Sequence, residues 1–246
     1  MVSIKYLGHS AFQLLGSRGT VLIDPFLSGN AKAAVAPNEV EADLILVSHA
    51  HGDHFGDAID IAKRTGAPIL GTFELAAYAA SKGVKSLDGH IGGTIKTQFC
   101  SVKLFNAVHS SSVSGGLLSA PSSFVVDMDS AKIYHAGDTA LFGDMSLIGD
   151  EYDLDVAMVP IGGHYTMDAY DAVRAEALLH ARFVIPMHYN THDLILADPW
   201  EFAKKISEQG IGECIVLDPG ASFDVPSPGE PVRRRQPKPK PQVLKA

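Results

Sequence analysis

Short runs of apolar residues alternate with turn residues along the first part of the chain. The apolar runs in residues 2–7, 11–15 and 20–23 predict three strands, because each run is short and bounded by polar or turn residues. Glycine and polar residues at 16–19 predict a hairpin turn between the second and third strands. The run of apolar β-formers within residues 43–47 predicts a fourth strand.

Helical patterns then alternate with strand patterns. Residues 55–64 and 73–82 are each followed by a glycine and predict helices, with a short buried strand at 68–70 between them. Alternation of this kind favours layered α/β packing. The remaining predicted elements are paired antiparallel strands within 94–108, strands at 123–127, 132–135, 156–161, 183–187, 214–217 and 222–225, and helices at 140–148, 168–181 and 198–207.

Four potential metal ligands lie within six residues directly after the fourth predicted strand. They are His49, His51, Asp53 and His54. Imidazole and carboxylate groups are the ligands that a borderline-soft divalent ion prefers. A single metal ion would not use all four of these residues and also need ligands from elsewhere in the chain. Two metal ions would. The alternative is a polar loop that happens to be rich in histidine.

Three further candidates recur at the ends of predicted strands, namely His109, Asp138 and His188. Strand ends on one edge of a layered sheet converge on a common cleft. Together with the first four residues they make seven ligands, about the number that a two-metal site requires. Taken singly, the two histidines could instead be buried and hydrogen-bonded, and the aspartate could be a turn residue.

Length and composition limit the classes of protein. The chain has 246 residues, which suits one large α/β domain or two small ones, and 46% of them are hydrophobic. No apolar run is long enough to span a bilayer, and the N-terminus lacks the features of a signal peptide, so a cytoplasmic protein is expected. Cys100 and Cys214 are far apart in sequence and are expected to be reduced thiols.

Charge and proline content separate the end of the chain from the rest. The net charge is −8, yet residues 226–246 hold six Lys and Arg residues against Glu230 alone. Residues 1–225 are therefore strongly acidic and are expected to bind nucleic acid poorly. The prolines in 226–246 predict an extended, largely disordered tail, which either contacts a partner or the acidic surface or is simply solvated. The serine-rich residues 110–119 are either a cover over a site or a plain surface loop.

The pattern His49-x-His51-x-Asp53-His54, followed by His109, Asp138 and His188, resembles the metallo-β-lactamase superfamily. The resemblance covers residues 1–225 and implies an α/β fold, a four-layer αβ/βα sandwich of two mixed sheets flanked by helices. It also implies the role of each ligand. The first metal would be held by His49, His51 and His109, the second by Asp53, His54 and His188, and Asp138 would bridge them.

Differences between branches of the superfamily narrow the activity. The antibiotic-hydrolysing lactamases commonly have a cysteine where this chain offers Asp138, and glyoxalase II enzymes carry a helical C-terminal domain that is missing here. The tRNA 3′-processing nucleases usually carry an RNA-gripping arm, and no basic insertion is visible. The best match is to uncharacterised prokaryotic metal-dependent hydrolases related to ascorbate-6-phosphate lactonase and N-acylphosphatidylethanolamine phospholipase D. The matching segments are 7–12, 108–110, 161–168 and 187–191.

The resemblance implies a dinuclear hydrolase that uses a metal-bridging hydroxide on a small ester, lactone or phosphodiester. Zinc is the expected metal, with manganese and iron as alternatives. Asp53 would be both a ligand and a catalytic group that orients the nucleophile. His164 would either donate to a developing oxyanion or a substrate phosphate, or orient a ligand, and His9 would be structural or would support a ligand.

Two other functions stay open on the sequence alone. One is a metal-dependent nuclease or phosphodiesterase, and the other is a non-catalytic, metal-stabilised binding protein whose tail recruits partners. Assembly into a homo-oligomer is also open. A small-molecule substrate is the expected partner.

Overall fold

Two mixed β-sheets stack face to face, and helices cover their outer sides. The computed structural model describes residues 1–112, 116 and 119–227, together with the backbone of 233–235. Within this part of the chain, none of the helices is both long and apolar enough to cross a membrane. The predicted four-layer arrangement is confirmed.

The first sheet contains the N-terminal strands and the last described strands. Its members are β1 (Ser3–Gly8), β2 (Ala11–Gly16), β3 (Gly19–Ile23), β4 (Leu44–Leu46), β5 (Ile69–Thr72), β6 (Ser86–Gly89), β14 (Ser222–Asp224) and β15 (Arg233–Arg235). Their order is β15-β14-β1-β2-β3-β4-β5-β6. Strands β3 to β6 run parallel, and the others pair antiparallel.

The second sheet repeats this division into antiparallel and parallel parts. Its members are β7 (Thr94–Lys96), β8 (Ser101–Asn106), β9 (Ser122–Met128), β10 (Ala131–His135), β11 (Val156–Pro160), β12 (Phe183–Met187) and β13 (Glu213–Cys214). Their order is β13-β12-β11-β10-β9-β8-β7, with β10 to β13 parallel. The helices are α1 (Gly52–Phe55), α2 (Ala58–Thr65), α3 (Phe73–Ser81), α4 (Met145–Glu151), α5 (Ala169–Leu179) and α6 (Pro199–Gln209).

Strand β4 shows why the central strands are apolar without alternation. Leu44 and Leu46 point into the core between the sheets, whereas Ile45 and Val47 point outward into a second core with Leu75 of α3. All of these side chains are fully buried. A parallel strand covered on both faces needs apolar residues at every position. This packing fixes the strand that leads into the histidine-rich segment.

Three local predictions differ from the structure. The helix predicted at 55–64 begins three residues later, as α2, because Gly56 takes a φ of +39° that ends the preceding helix α1 at Phe55. Gly56 also lies so close to Pro25 that a Cβ would clash with its carbonyl oxygen. The helix predicted at 140–148 begins later, since the amide of Ala140 donates instead to Val108. Strand β6 was not predicted, because its edge position leaves it half-exposed and without a regular apolar pattern.

Parts of two predicted segments lie outside the described residues. In the C-terminal tail these are 228–232 and 236–246, and the backbone of β15 between them pairs with β14. In the predicted cover they are 113–115 and 117–118. Disorder of the tail and a covering role for 110–119 therefore stay predictions.

Glu176 should make stability depend on pH. This fully buried residue of α5 has a pKa well above its usual range, because burial disfavours the carboxylate and the backbone of Ala181 offsets this only in part. The folded state therefore holds the proton more tightly than the unfolded state. As pH rises above the ordinary pKa of a glutamic acid, the unfolded state loses its proton first and the free energy of unfolding falls.

We therefore expect Glu176→Gln to become more stable relative to the wild type as pH rises, by about 1.4 kcal/mol for each tenfold difference in proton affinity between the folded and unfolded states. Urea unfolding of both proteins from pH 4.5 to 8 measures the difference, with the exposed Glu208→Gln as the matched control. A difference that does not change with pH would contradict burial of a protonated Glu176.

Candidate metal centre

The predicted ligands all lie at one edge of the two sheets. His49, His51, Asp53 and His54 follow β4, and the other three follow β8, β10 and β12 respectively. Strands β8, β10 and β12 run in the same direction, so their carboxyl ends share an edge. The structure thus brings together all seven residues that the sequence singles out.

One group of ligand atoms consists of His49, His51 and His109. Nε2 of His49 lies 3.0 Å from Nδ1 of His51. The ring of His109 is 5.2 Å from the ring of His49 and 5.1 Å from that of His51, measured between centroids. One nitrogen from each ring lies within 4.8 Å of the other two. The three imidazoles could therefore hold one cation.

A second group consists of Asp53, His54 and His188, with His9 beside them. Their ligand atoms also lie within 4.8 Å of one another. Oδ2 of Asp53 is 3.7 Å from Nε2 of His188 and 3.2 Å from Nε2 of His9. Asp53 is the second residue of α1 and brings its carboxylate to the group from the helix side.

Asp138 lies between the two groups and contacts both. Its Oδ1 is 3.1 Å from Nε2 of His54, and its Oδ2 is 3.1 Å from Nε2 of His188. The same Oδ2 is 3.6 Å from Nε2 of His109 and 4.0 Å from Nε2 of His49. A carboxylate in this position can offer one oxygen to each of two cations.

Unpaired buried atoms show that the donor set fits a divalent cation. Nε2 of His54, Oδ1 of Asp138 and Nε2 of His188 are buried and form no hydrogen bond with acceptable geometry to any described residue. Leaving such an atom unpaired costs about 1–3 kcal/mol. Ligand atoms around a tetrahedral zinc ion lie about 3.3 Å apart, given bonds of about 2.0 Å. The observed separations of 3.0 to 4.0 Å are close to that value.

The electrostatics of the site require positive charge. Burial opposes ionisation of Asp138, but the imidazoles of His54 and His188 outweigh it and hold the pKa of that carboxyl well below its usual range. Burial likewise opposes charge on His188, yet Asp138 and Asp53 outweigh it and raise the pKa of His188 to about 9. Burial and the nearby His54 lower the pKa of His49. Despite burial, the carboxylates of Asp138 and Asp24 also raise the pKa of His54. Protons on His54 and His188 would therefore supply the positive charge that a bound cation would otherwise supply.

Asp24 contacts one candidate ligand histidine directly and a second through Ser48, and the sequence did not single it out. Its Oδ2 lies 2.8 Å from Nδ1 of His54 and accepts a hydrogen bond from Oγ of Ser48 at 2.6 Å. Oγ of Ser48 in turn lies 3.0 Å from Nδ1 of His49. Asp24 follows β3 at the same edge as the ligands, so the strand-end rule that found Asp138 would also have found it. Its role is to fix the orientation of the imidazoles.

Residues next to His109 also contact the site. Oγ of Ser110 is 3.5 Å from Nε2 of His51, and Oγ of Ser111 accepts a hydrogen bond from the amide of Ala50 at 3.0 Å. The bond from Ala50 fixes the backbone between His49 and His51, and the contact of Ser110 is with the His51 ring. The described start of the 110–119 segment is thus part of the wall of the site.

The other histidines have different surroundings. His164 is exposed, with its ring against that of Tyr165, and it belongs to none of the ligand groups among the described residues. Its predicted contact with substrate stays a prediction. His135 is buried, where it contacts the carbonyl of Ser10 and the amide of Gly137, and this is a structural role.

Comparisons with known proteins agree with the fold and identify the family. A family model described as a beta-lactamase superfamily domain matches residues 3–188. A protein named UPF0173 metal-dependent hydrolase from Thermococcus kodakarensis is 47% identical over 228 residues, covering 92% of this chain and 100% of the relative. A protein of the same description from Thermus thermophilus is 48% identical over 221 residues, covering 89% and 97%.

A solved structure supports the same relationship. Igni18, a metallo hydrolase from the archaeon Ignicoccus hospitalis, matches with a TM-score of 0.84 and 37% identity. The match covers 91% of this chain and 98% of Igni18.

Loss of the Asp24 carboxylate should weaken metal binding although Asp24 is not itself a proposed ligand. In the wild type, Oδ1 accepts from the amide of Ser48, and Oδ2 contacts both the hydroxyl of Ser48 and Nδ1 of His54. Asparagine replaces one of these oxygens with an NH2 group that cannot accept a hydrogen bond, so one of the two sets of contacts is lost. We expect Asp24→Asn to lower metal affinity about 10–100-fold, the usual effect of removing a group that orients a ligand. Zinc titration of the metal-free protein measures this, with exposed Asp127→Asn as control. Equal affinity in the two variants would contradict the role of Asp24.

Proposed function

The chain belongs to the beta-lactamase superfamily and is a metal-dependent hydrolase, and from this premise we propose that it uses two divalent metal ions to hydrolyse a small ester, lactone or phosphodiester. The observation that carries the proposal is the position of Asp138, within 4.0 Å of a ligand atom from each of the two groups. A single cation would not need a carboxylate shared between two complete sets of ligands.

The proposed assignment divides the seven ligands by their distances. His49, His51 and His109 would hold the first ion, and Asp53, His54 and His188 would hold the second. Asp138 would supply a ligand to both ions. Five imidazoles and two carboxylates are a donor set well suited to zinc, which we propose as the metal, and manganese and iron accept the same groups.

When bound, the two ions supply a water-derived nucleophile at neutral pH and polarise the bond to be broken. The chain then has to orient the nucleophile and accept its proton. Asp53 is suited to this because 32% of its side chain is exposed, against 3% for Asp138. The imidazoles of His188 and His9 outweigh burial and hold the pKa of Asp53 well below its usual range, so it is ionised and able to accept a hydrogen bond.

Substrate contacts are proposed for the loop that follows β11. His164 and Tyr165 lie there, exposed to solvent, just after the buried Ile161 and Gly162. His164 offers a hydrogen-bond donor for a developing oxyanion or a substrate phosphate. The small size of the substrate is inferred from the acidic residues 1–225, which disfavour a nucleic acid.

Metal content distinguishes a bridging from a terminal ligand. We expect Asp138→Ala to lower the occupancy of both metal ions, because both lose a ligand. His109→Ala should mainly lower the occupancy of the first ion. Elemental analysis after dialysis against limiting zinc measures the occupancy. The exposed His180→Asn is the control, since asparagine tolerates the positive φ at that position. Equal loss of both ions in His109→Ala would contradict the assignment.

Turnover tests the reaction itself. We expect the zinc- or manganese-loaded protein to cleave at least one of p-nitrophenyl esters, lactones and bis-(p-nitrophenyl) phosphate, and Asp53→Asn to lower kcat about 10²-fold or more. Single-stranded RNA is the comparison substrate. Faster cleavage of RNA than of every small substrate would instead indicate a nuclease. No turnover of any substrate by the loaded protein would contradict an enzymatic function and favour a binding protein.

A further inference from the structure

His9 follows β1 at the edge of the metal centre, and one of its ring nitrogens contacts the candidate ligand Asp53. The side chain is fully buried, and the backbone takes a φ of +59°. Its ring lies 4.1 Å from the ring of His188 and 5.6 Å from that of Phe26, between centroids. A buried polar ring in a constrained backbone conformation needs a reason beyond filling space.

We propose that His9 is a positioning residue that holds Asp53 in the second ligand group, and that the hydroxyl of Thr191 fixes the ring of His9 for this task. The inference rests on the proposed two-metal function. It identifies a connection from Thr191 through His9 to Asp53 that joins the loop after β12 to helix α1.

Each ring nitrogen of His9 has one partner. Nε2 lies 3.2 Å from Oδ2 of Asp53, and Nδ1 lies 2.9 Å from Oγ1 of Thr191. An ionised carboxylate only accepts hydrogen bonds, so Nε2 of His9 is the donor. A nitrogen that carries this proton has no lone pair for a cation. His9 therefore acts through Asp53, although its ring lies within the second group.

The backbone of His9 is held to the other side of the same group. Its carbonyl oxygen accepts a hydrogen bond from the amide of His188 at 2.8 Å and one from the hydroxyl of Tyr6 at 3.1 Å. His188 also has a positive φ, of +55°. One residue thus fixes the backbone of one proposed ligand and the side chain of another.

Thr191 belongs to a loop that is itself tightly bonded. The side chain of the preceding Asn190 donates to the carbonyl of Ala197 and accepts from its amide, both at 2.9 Å. The amide of Asn190 donates to the carbonyl of Ile195 at 2.8 Å. The hydroxyl of Thr191 is therefore presented to His9 from a fixed position, and the ring of His9 cannot rotate without losing that bond.

Asp53 needs such support because its carboxylate is one-third exposed, at the start of a helix of one turn. An exposed side chain loses conformational entropy when it is fixed as a ligand. The bond from His9 to Oδ2 restricts the side chain before a cation arrives. Removing the bond should therefore weaken binding of the second ion. Binding of the first ion should be unchanged, because His9 does not contact its proposed histidine ligands in the described structure.

The decisive comparison is Thr191→Val with Thr191→Ser. Valine keeps the shape of threonine and removes the hydroxyl, whereas serine keeps the hydroxyl. Titration of each metal-free protein with Co(II), followed by visible absorption, reports the two binding steps. We expect Thr191→Val to weaken one of the two steps about tenfold and to leave the other unchanged. Thr191→Ser should bind both ions like the wild type.

A second pair of variants separates positioning from direct ligation. His9→Gln keeps an N–H group near the position of Nε2, and His9→Leu does not. If His9 positions Asp53, glutamine should retain most of the Co(II) affinity that leucine loses. Equal losses would overturn this role. Thermal unfolding of the metal-free variants checks that each has folded.

The outcomes separate this inference from the proposed function. A wild-type protein that binds a single equivalent of Co(II) would overturn both the proposed two-metal function and the role of His9. A wild-type protein that binds two equivalents, with Thr191→Val and Thr191→Ser indistinguishable in both steps, would overturn the role of Thr191 and His9 alone.

Discussion

The buried carboxylate of Asp138 is the group on which the rest of the centre depends. Four imidazole nitrogens lie between 3.1 and 4.0 Å from its oxygens. An isolated carboxylate at this depth would be strongly disfavoured, so its ionised form requires positive charge close by. Protons on neighbouring histidines can supply that charge, and so can divalent ions. The fold therefore buries a carboxylate that needs positive charge beside it, and the proposed metal ions would supply that charge.

Both sheets are needed to place these groups. The residues after β4 come from the first sheet, whereas His109, Asp138 and His188 come from the second. The core between the sheets fixes the separation of the two sets, because its side chains are closely packed and buried. Hydrogen bonds accepted by Asp24 then set the orientation of the His54 ring and, through Ser48, of the His49 ring. Packing of the core thus fixes the positions of the candidate ligands, and hydrogen bonds fix the orientation of their rings.

The sequence predicts the central strands well because burial on one or both faces leaves a clear apolar pattern. It also singles out the seven candidate ligands, since each is a metal-binding residue type at or shortly after a predicted strand end, and all seven lie at one edge. It does not predict the supporting contacts. Thr191 is 182 residues from His9, and Asp24 is 30 residues from His54. Such pairings depend on the tertiary fold, and local patterns carry no record of them.

Magnetic coupling between the two ions tests the account most directly. The protein should be loaded with two equivalents of Co(II) and compared with the singly loaded form by electron paramagnetic resonance. A carboxylate that bridges the ions should couple their spins, so the doubly loaded protein should give a spectrum different from the sum of two isolated Co(II) signals. A simple doubling of the signal of the singly loaded form would contradict a bridged pair at Asp138.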